Sequence, residues 1–142
     1  MNFLRTAAIL LCLAFLSTTV ATAAEREEKV VYHVSDLTNQ SGALYNVRNH
    51  LNASPKAKIV VVTLGSGIDL LLEGGKDKNG NPYEVLVQEL AGRGVQFRVC
   101  NNSLMGRKID PKNVIPEATV VPSGVAEISR LQSQEGYGYI RP

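Results

Sequence analysis

The sequence predicts an α/β protein, a three-layer open sandwich on a mostly parallel, flavodoxin-like sheet of about five strands. Three observations predict it. Short runs of β-branched residues alternate with segments of helical periodicity along the chain. The run Lys58–Leu64 is apolar almost without interruption, as suits a central parallel strand covered on both faces. Strands separated by helical segments also join through right-handed crossovers, which leave neighbouring strands parallel.

The first residues stand apart from this pattern. Met1 to Thr6 carries one cation, Arg5, and the apolar run Ala7–Leu16 leads into a small-residue stretch with an Ala21-Thr22-Ala23 site. These are the parts of a secretory signal peptide, expected over residues 1–23. The apolar run is short of the roughly 20 residues needed to span a bilayer. Cys12 follows Leu11 rather than a small residue, so it does not fit a lipid-attachment site. The expected product is a secreted or periplasmic domain, residues 24–142, with no membrane association after cleavage.

That domain is long enough to bury a core without staples. Its Lys and Arg residues are scattered among acids, and no clustered basic patch marks a nucleic-acid footprint. With Cys12 removed, Cys100 has no partner for a disulfide within the chain. An odd cysteine in an exported protein suggests an intermolecular bond or a reactive thiol, against the alternative of a small buried hydrophobe.

The elements follow in order. Lys29–Val34 is a strand ending at Ser35-Asp36. Ser41–Asn52 places Ala43, Leu44, Val47 and Leu51 on one helical face. The strand Lys58–Leu64 stops at Gly65-Ser66-Gly67, and Ile68–Glu73 is a short helix. Lys76–Pro82 has turn chemistry centred on Asn79-Gly80. Tyr83–Ala91 resumes helical spacing through Val85, Leu86, Val87 and Leu90. Val95–Val99 is the third strand, with Cys100 at its end and an Asn101-Asn102-Ser103 turn after it. Lys112–Ile115 makes a helical turn and Ala118–Val121 a fourth strand. Ser123 caps a helix to Gln134 that turns Val125, Ile128 and Leu131 inward, and Tyr137–Ile140 closes the sheet.

In open parallel sheets, ligands bind beyond the carboxyl ends of the strands. Three of those ends carry chemistry: Ser35-Asp36 after His33, Gly65-Ser66-Gly67, and Cys100-Asn101. Amide dipoles at Asn101–Ser103 and the cations Arg98, Arg107 and Lys108 are the features near Cys100 that would favour its thiolate. Asp36, Gly65, Ser66, Gly67 and Asn101 are the candidate ligand-binding residues. His33 is read as a packed strand histidine before a general base, and His50 as a structural residue late in its helix.

Other motifs fail on their own terms. Gly65-Ser66-Gly67 opens like a dinucleotide fingerprint, but Leu70 takes the third glycine position. Asp77, Asn79 and Asn81 alternate like a calcium loop, but Pro82 and Gln88 stand where glycine and the closing carboxylate belong. One cysteine and two distant histidines lack zinc spacing, so neither metal nor cofactor is expected.

The segments KVVYHV, AKIVVVTLGSGI, GVQFRVCNNSL and VVPSGVAEISRLQSQEGYGYIRP, in that order, resemble the small single-domain members of the DsrE/DsrF-like family. The resemblance runs from about Lys29 to Pro142 and is most specific at Val-Cys-Asn-Asn-Ser-Leu and in the tail. It implies a flavodoxin-like fold and a homo-oligomer, trimer or hexamer. It also implies a sulfur-relay role in which Cys100 accepts sulfur as a persulfide and passes it on. The donor and acceptor would be a protein or a small thiol. A non-enzymatic oligomeric binding module with a structural cysteine is the alternative, and a thiol redox protein with an intermolecular disulfide ranks third.

Overall fold

The computed structural model describes residues 27–36 and 40–142. The predicted signal peptide lies outside the described residues. Within them five strands form one sheet in the order β4-β3-β2-β1-β5, every pair parallel. The strands are β1 (Lys29–Val34), β2 (Lys58–Thr63), β3 (Gln96–Cys100), β4 (Ala118–Val121) and β5 (Gly138–Ile140). Four α-helices join them: α1 (Gln40–Ala53), α2 (Tyr83–Gly92), α3 (Asn101–Gly106) and α4 (Gly124–Glu135). A 3-10 segment, Gly65–Leu71, follows β2, and another, Pro111–Asn113, precedes β4.

The order explains the layering. From β1 to β4 the chain steps outward one strand at a time, and it then returns past β1 to lay down β5. Right-handed crossovers put the outward connections on one face and the return connection, α4, on the other. The first face is thick. Ala43, Leu44, Val47 and Leu51 of α1 join Val87 and Leu90 of α2 over Tyr32, Ile59, Val61, Phe97 and Val99. The second face is thin: Ile128 and Leu131 of α4 cover Val31, Val60 and Val62, with Leu64 and Tyr137 at the margin. Val31 and Val62 have 0% exposure, and full burial stabilises such side chains by about 1.5–3 kcal/mol each. The uninterrupted apolar run of β2 is thereby explained, because this strand is covered on both sides.

Three local expectations are corrected. Val125 is 68% exposed, because the face of α4 turned to the sheet carries Gly124, Ile128 and Leu131 and Val125 lies off that stripe. Val85, at 69% exposure, likewise lies off the buried stripe of α2. Asn101-Asn102-Ser103 is a helix rather than a turn, since α3 starts directly from the last residue of β3. Ser123 caps α4 as expected, its hydroxyl accepting from the Ala126 amide at 3.4 Å. Among the described residues no helix is long and apolar enough to cross a membrane.

A network at the opposite end of the sheet secures the entry to β1. Glu28 Oε1 lies 2.6 Å from His50 Nε2, and the Tyr32 hydroxyl lies 2.9 Å from His50 Nδ1. A carboxylate accepts, so Nε2 carries the proton and Nδ1 receives the tyrosine hydroxyl. His50, read as structural from the sequence, ties the segment before β1 to the end of α1.

Candidate functional site

Cys100 closes β3 and is the N-cap of α3. Its row across the sheet follows from the register: Val34 pairs Thr63 and Thr63 pairs Val99, so the next residues, Ser35, Leu64 and Cys100, stand level. All three face the α4 side. Gly124, the first residue of α4, packs over Leu64 and Cys100; a Cβ there would lie 2.0 Å from Leu64 Cδ2 and 3.1 Å from Cys100 Cβ. Only glycine lets the helix come this close.

The sulfur therefore sits between the starts of α3 and α4. Burial pushes the Cys100 thiol up, but the Ser103 hydroxyl and the amides of Gly124, Ser103 and Asn102 outweigh it, and the net direction is down. These groups surround Sγ without closing a side-chain cap hydrogen bond on α3. Their dipoles favour the ionised sulfur, which is the nucleophilic form. Cys100 is 5% exposed.

Ser103 is itself held in place. The Gly65 amide donates to its Oγ at 2.8 Å, leaving its single proton for the sulfur. Gly65 makes this contact with φ at +54°, and a Cβ on Gly67 would meet the Val34 carbonyl oxygen at 2.3 Å. The Gly65-Ser66-Gly67 turn thus threads between the end of β1 and the start of α3. It reaches Cys100 through Ser103, a residue whose amide the sequence reading counted but whose hydroxyl it passed over.

The two arginines near Cys100 in the sequence are engaged elsewhere. Arg98 shares the sheet face of Cys100, but its guanidinium donates to Glu127 at 3.0 Å and to Gln96 at 2.6 Å. Glu127 also binds Arg130, and these partners hold its carboxyl below the usual range. Arg107 pairs with Asp69 at 2.7 Å. The pull on the thiol comes from amides and a hydroxyl, so the amide half of the expectation describes this environment and the cationic half does not.

The remaining candidates divide into two groups. Gly65 and half-buried Asn101 flank the cysteine, with Ser66 and Gly67 continuing the turn. Asp36 does not: it lies at the end of β1, two strands from β3. There Arg141 donates from Nη2 to Ser35 Oγ at 3.1 Å and lies 3.7 Å from Asp36 Oδ2. His33 stands one step below, its Nδ1 2.7 Å from the Tyr139 hydroxyl. Level with Val62 and Arg98 by register, it is too far from the cysteine to serve as its base. Burial first, and Arg141 second, push the His33 pKa down, with Asp36 opposing. Among the described residues no group of three or more His, Cys, Asp or Glu side chains could hold a metal ion.

A parallel five-stranded sheet with a cysteine held at a strand end between two helix starts defines a flavodoxin-like α/β protein with a polarised thiol. The family model described as the DsrE/DsrF-like family matches residues 14–142, and the chain belongs to that family. Among solved structures it is similar to the protein of unknown function MTH1491 from Methanobacterium thermoautotrophicum. That match has 33% identity and a TM-score of 0.72, over 82% of this chain and all of the other. The ychN protein from E. coli shares the fold at 13% identity and a TM-score of 0.68, over 81% and 99% of the two chains. No curated protein matches the sequence.

Proposed function

We propose that this protein is an exported sulfur carrier whose Cys100 accepts a sulfane sulfur and yields it to an acceptor thiol. One observation carries the reading. The cysteine closing β3 is surrounded by a hydroxyl and three amides that lower its pKa against the effect of burial. The thiolate attacks the outer sulfur of a persulfide or polysulfide, the S–S bond of the donor breaks, and the donor leaves as a thiolate. Cys100 then holds the sulfur as a persulfide until an acceptor thiolate takes it by the same displacement. Membership of a family with sulfur-relay members supports this chemistry. The residues before the domain, patterned as a signal peptide, support export, and the resemblance supports a homo-oligomer.

The test is intact mass of the purified mature protein before and after polysulfide, with Cys100→Ser alongside. A gain of one sulfur that requires Cys100 supports the carrier. No gain, with the thiol silent to alkylation until the protein unfolds, refutes it. The 5% exposure of Cys100 favours the second reading in that event, a non-enzymatic homo-oligomeric binding module with a structural cysteine.

A further inference from the structure

The returning strand creates a switch in strand order: β2 lies on one side of β1 and β5 on the other. Such switches open a crevice beyond the carboxyl ends of the strands, where ligands of this architecture bind. Here the crevice is lined by His33, Ser35, Asp36, Arg141 and their neighbours, and opens to solvent. It presents both signs of charge. The Arg141 and Asp36 side chains are 59% and 56% exposed and only 3.7 Å apart. Beneath them, His33 Nε2 is buried without a hydrogen-bond partner, so the polar capacity of the corner is not used up. An exposed carboxylate beside an exposed guanidinium is complementary to a zwitterion, an ammonium and a carboxylate on one carbon.

The corner also has a fixed relation to the cysteine. Ser35, Leu64 and Cys100 stand in one row on one sheet face. Two strand spacings put the corner about 10 Å from the sulfur. A peptide chain spans about 3.3–3.6 Å per residue, so a thiol of about three residues bridges that gap and a single amino acid does not.

We propose that the β1–β5 corner is the head-group subsite for a peptide-sized, low-molecular-weight persulfide that donates sulfur to Cys100. Its carboxylate sits on Arg141, its ammonium on Asp36, and its sulfur chain runs over the Gly65-Ser66-Gly67 turn, which links the end of β1 to Ser103, to reach the thiolate. The step balances without an oxidant. Cys100 S⁻ attacks the outer sulfur of R–S–S–H, the Cys100 S–S bond forms, the donor S–S bond breaks, and R–S⁻ leaves while the proton stays on the transferred sulfur. The inference rests on the carrier reading.

The experiment compares glutathione persulfide with inorganic polysulfide, reading the sulfur gained at Cys100 by mass against time. In Arg141→Ala, transfer from glutathione persulfide at low concentration is expected to fall at least tenfold, through a higher apparent KM, while transfer from inorganic polysulfide persists. Equal rates in wild type and variant with glutathione persulfide overturn the subsite, as does equal slowing with both donors. A second measurement separates this outcome from failure of the carrier reading. S-methylglutathione, which transfers no sulfur, is titrated into Cys100→Ser with and without Arg141→Ala. Binding that needs Arg141 supports the subsite whatever the cysteine does, and absence of binding to Cys100→Ser overturns it.

Discussion

Replacing Ser103 with alanine isolates the group that links the glycine turn to the thiol. The hydroxyl receives the Gly65 amide at 2.8 Å and lies beside Sγ, where it lowers the Cys100 pKa together with three amides. A hydrogen bond to a charged group contributes about 1.5–3 kcal/mol. Loss of the lower figure reduces the ratio of thiolate to thiol about tenfold below the midpoint of titration. Helix α3 itself is not expected to be lost, because its amides and the packing of Leu104, at 0% exposure, are untouched. The assay is the rate of iodoacetamide alkylation of the native protein from acid to alkaline pH. Ser103→Ala should move the midpoint upward and slow the reaction about tenfold on the acid side, with the two rates converging at high pH. An unchanged midpoint would show that the amides of α3 and α4 alone set the thiol, and would remove Ser103 from the site.

Four further outcomes follow from the same geometry. Gly124→Ala puts a Cβ 2.0 Å from the end of Leu64 and 3.1 Å from Cys100 Cβ; it should cost about 1–3 kcal/mol in denaturant unfolding and slow alkylation of Cys100. Gly67→Ala meets a backbone carbonyl oxygen at 2.3 Å, which cannot rotate away, so its loss of stability should exceed that of Gly124→Ala. His50→Ala leaves the Tyr32 hydroxyl, on a residue 3% exposed, without its partner, and thermal unfolding should show a loss of about 1–3 kcal/mol. The lowered Cys100 pKa also makes stability depend on pH: its contribution is complete above the unfolded value of about 9 and is lost as pH falls through the folded value. Unfolding free energies of wild type relative to Cys100→Ser should therefore rise with pH across that window, and a difference independent of pH would contradict the shift.

The elements were legible because periodicity, turn residues and strand composition agree along this chain. The stripe Ala43, Leu44, Val47, Leu51 and the run of β2 needed no tertiary information. What escaped was set by distant residues. Strand order decides which strand ends share a corner, and no local signal states that β5 returns beside β1. For that reason the meeting of Asp36 with Arg141, from the far end of the domain, was not legible. Arg98 was expected to act on Cys100 because both point to one face, but Glu127, from a helix formed later in the chain, takes it. The start of α3 carries no conventional capping residue, since a cysteine holds the N-cap position, so it reads as a turn. Ser103 was within reach of sequence reasoning. A hydroxyl three residues after a cysteine at a strand end is a signal of its own.

The return of β5 to the side of β1 has a consequence for the order of folding. β1 pairs with β2 early in the chain, but its other edge waits for Gly138–Ile140, and His33 waits for Tyr139. Synthesis proceeds from the N-terminus, so a nascent chain can assemble β1 to β4 and still carry an open edge on its first strand. α4, which alone covers the second face among the described helices, is made in the same late interval. Until it docks, Val31, Val60 and Val62 remain in contact with water and with whatever else binds apolar surface. Closure of this sheet is therefore a late event: the first strand is sealed on both edges, and the second face covered, only once α4 and β5 have been made and have docked.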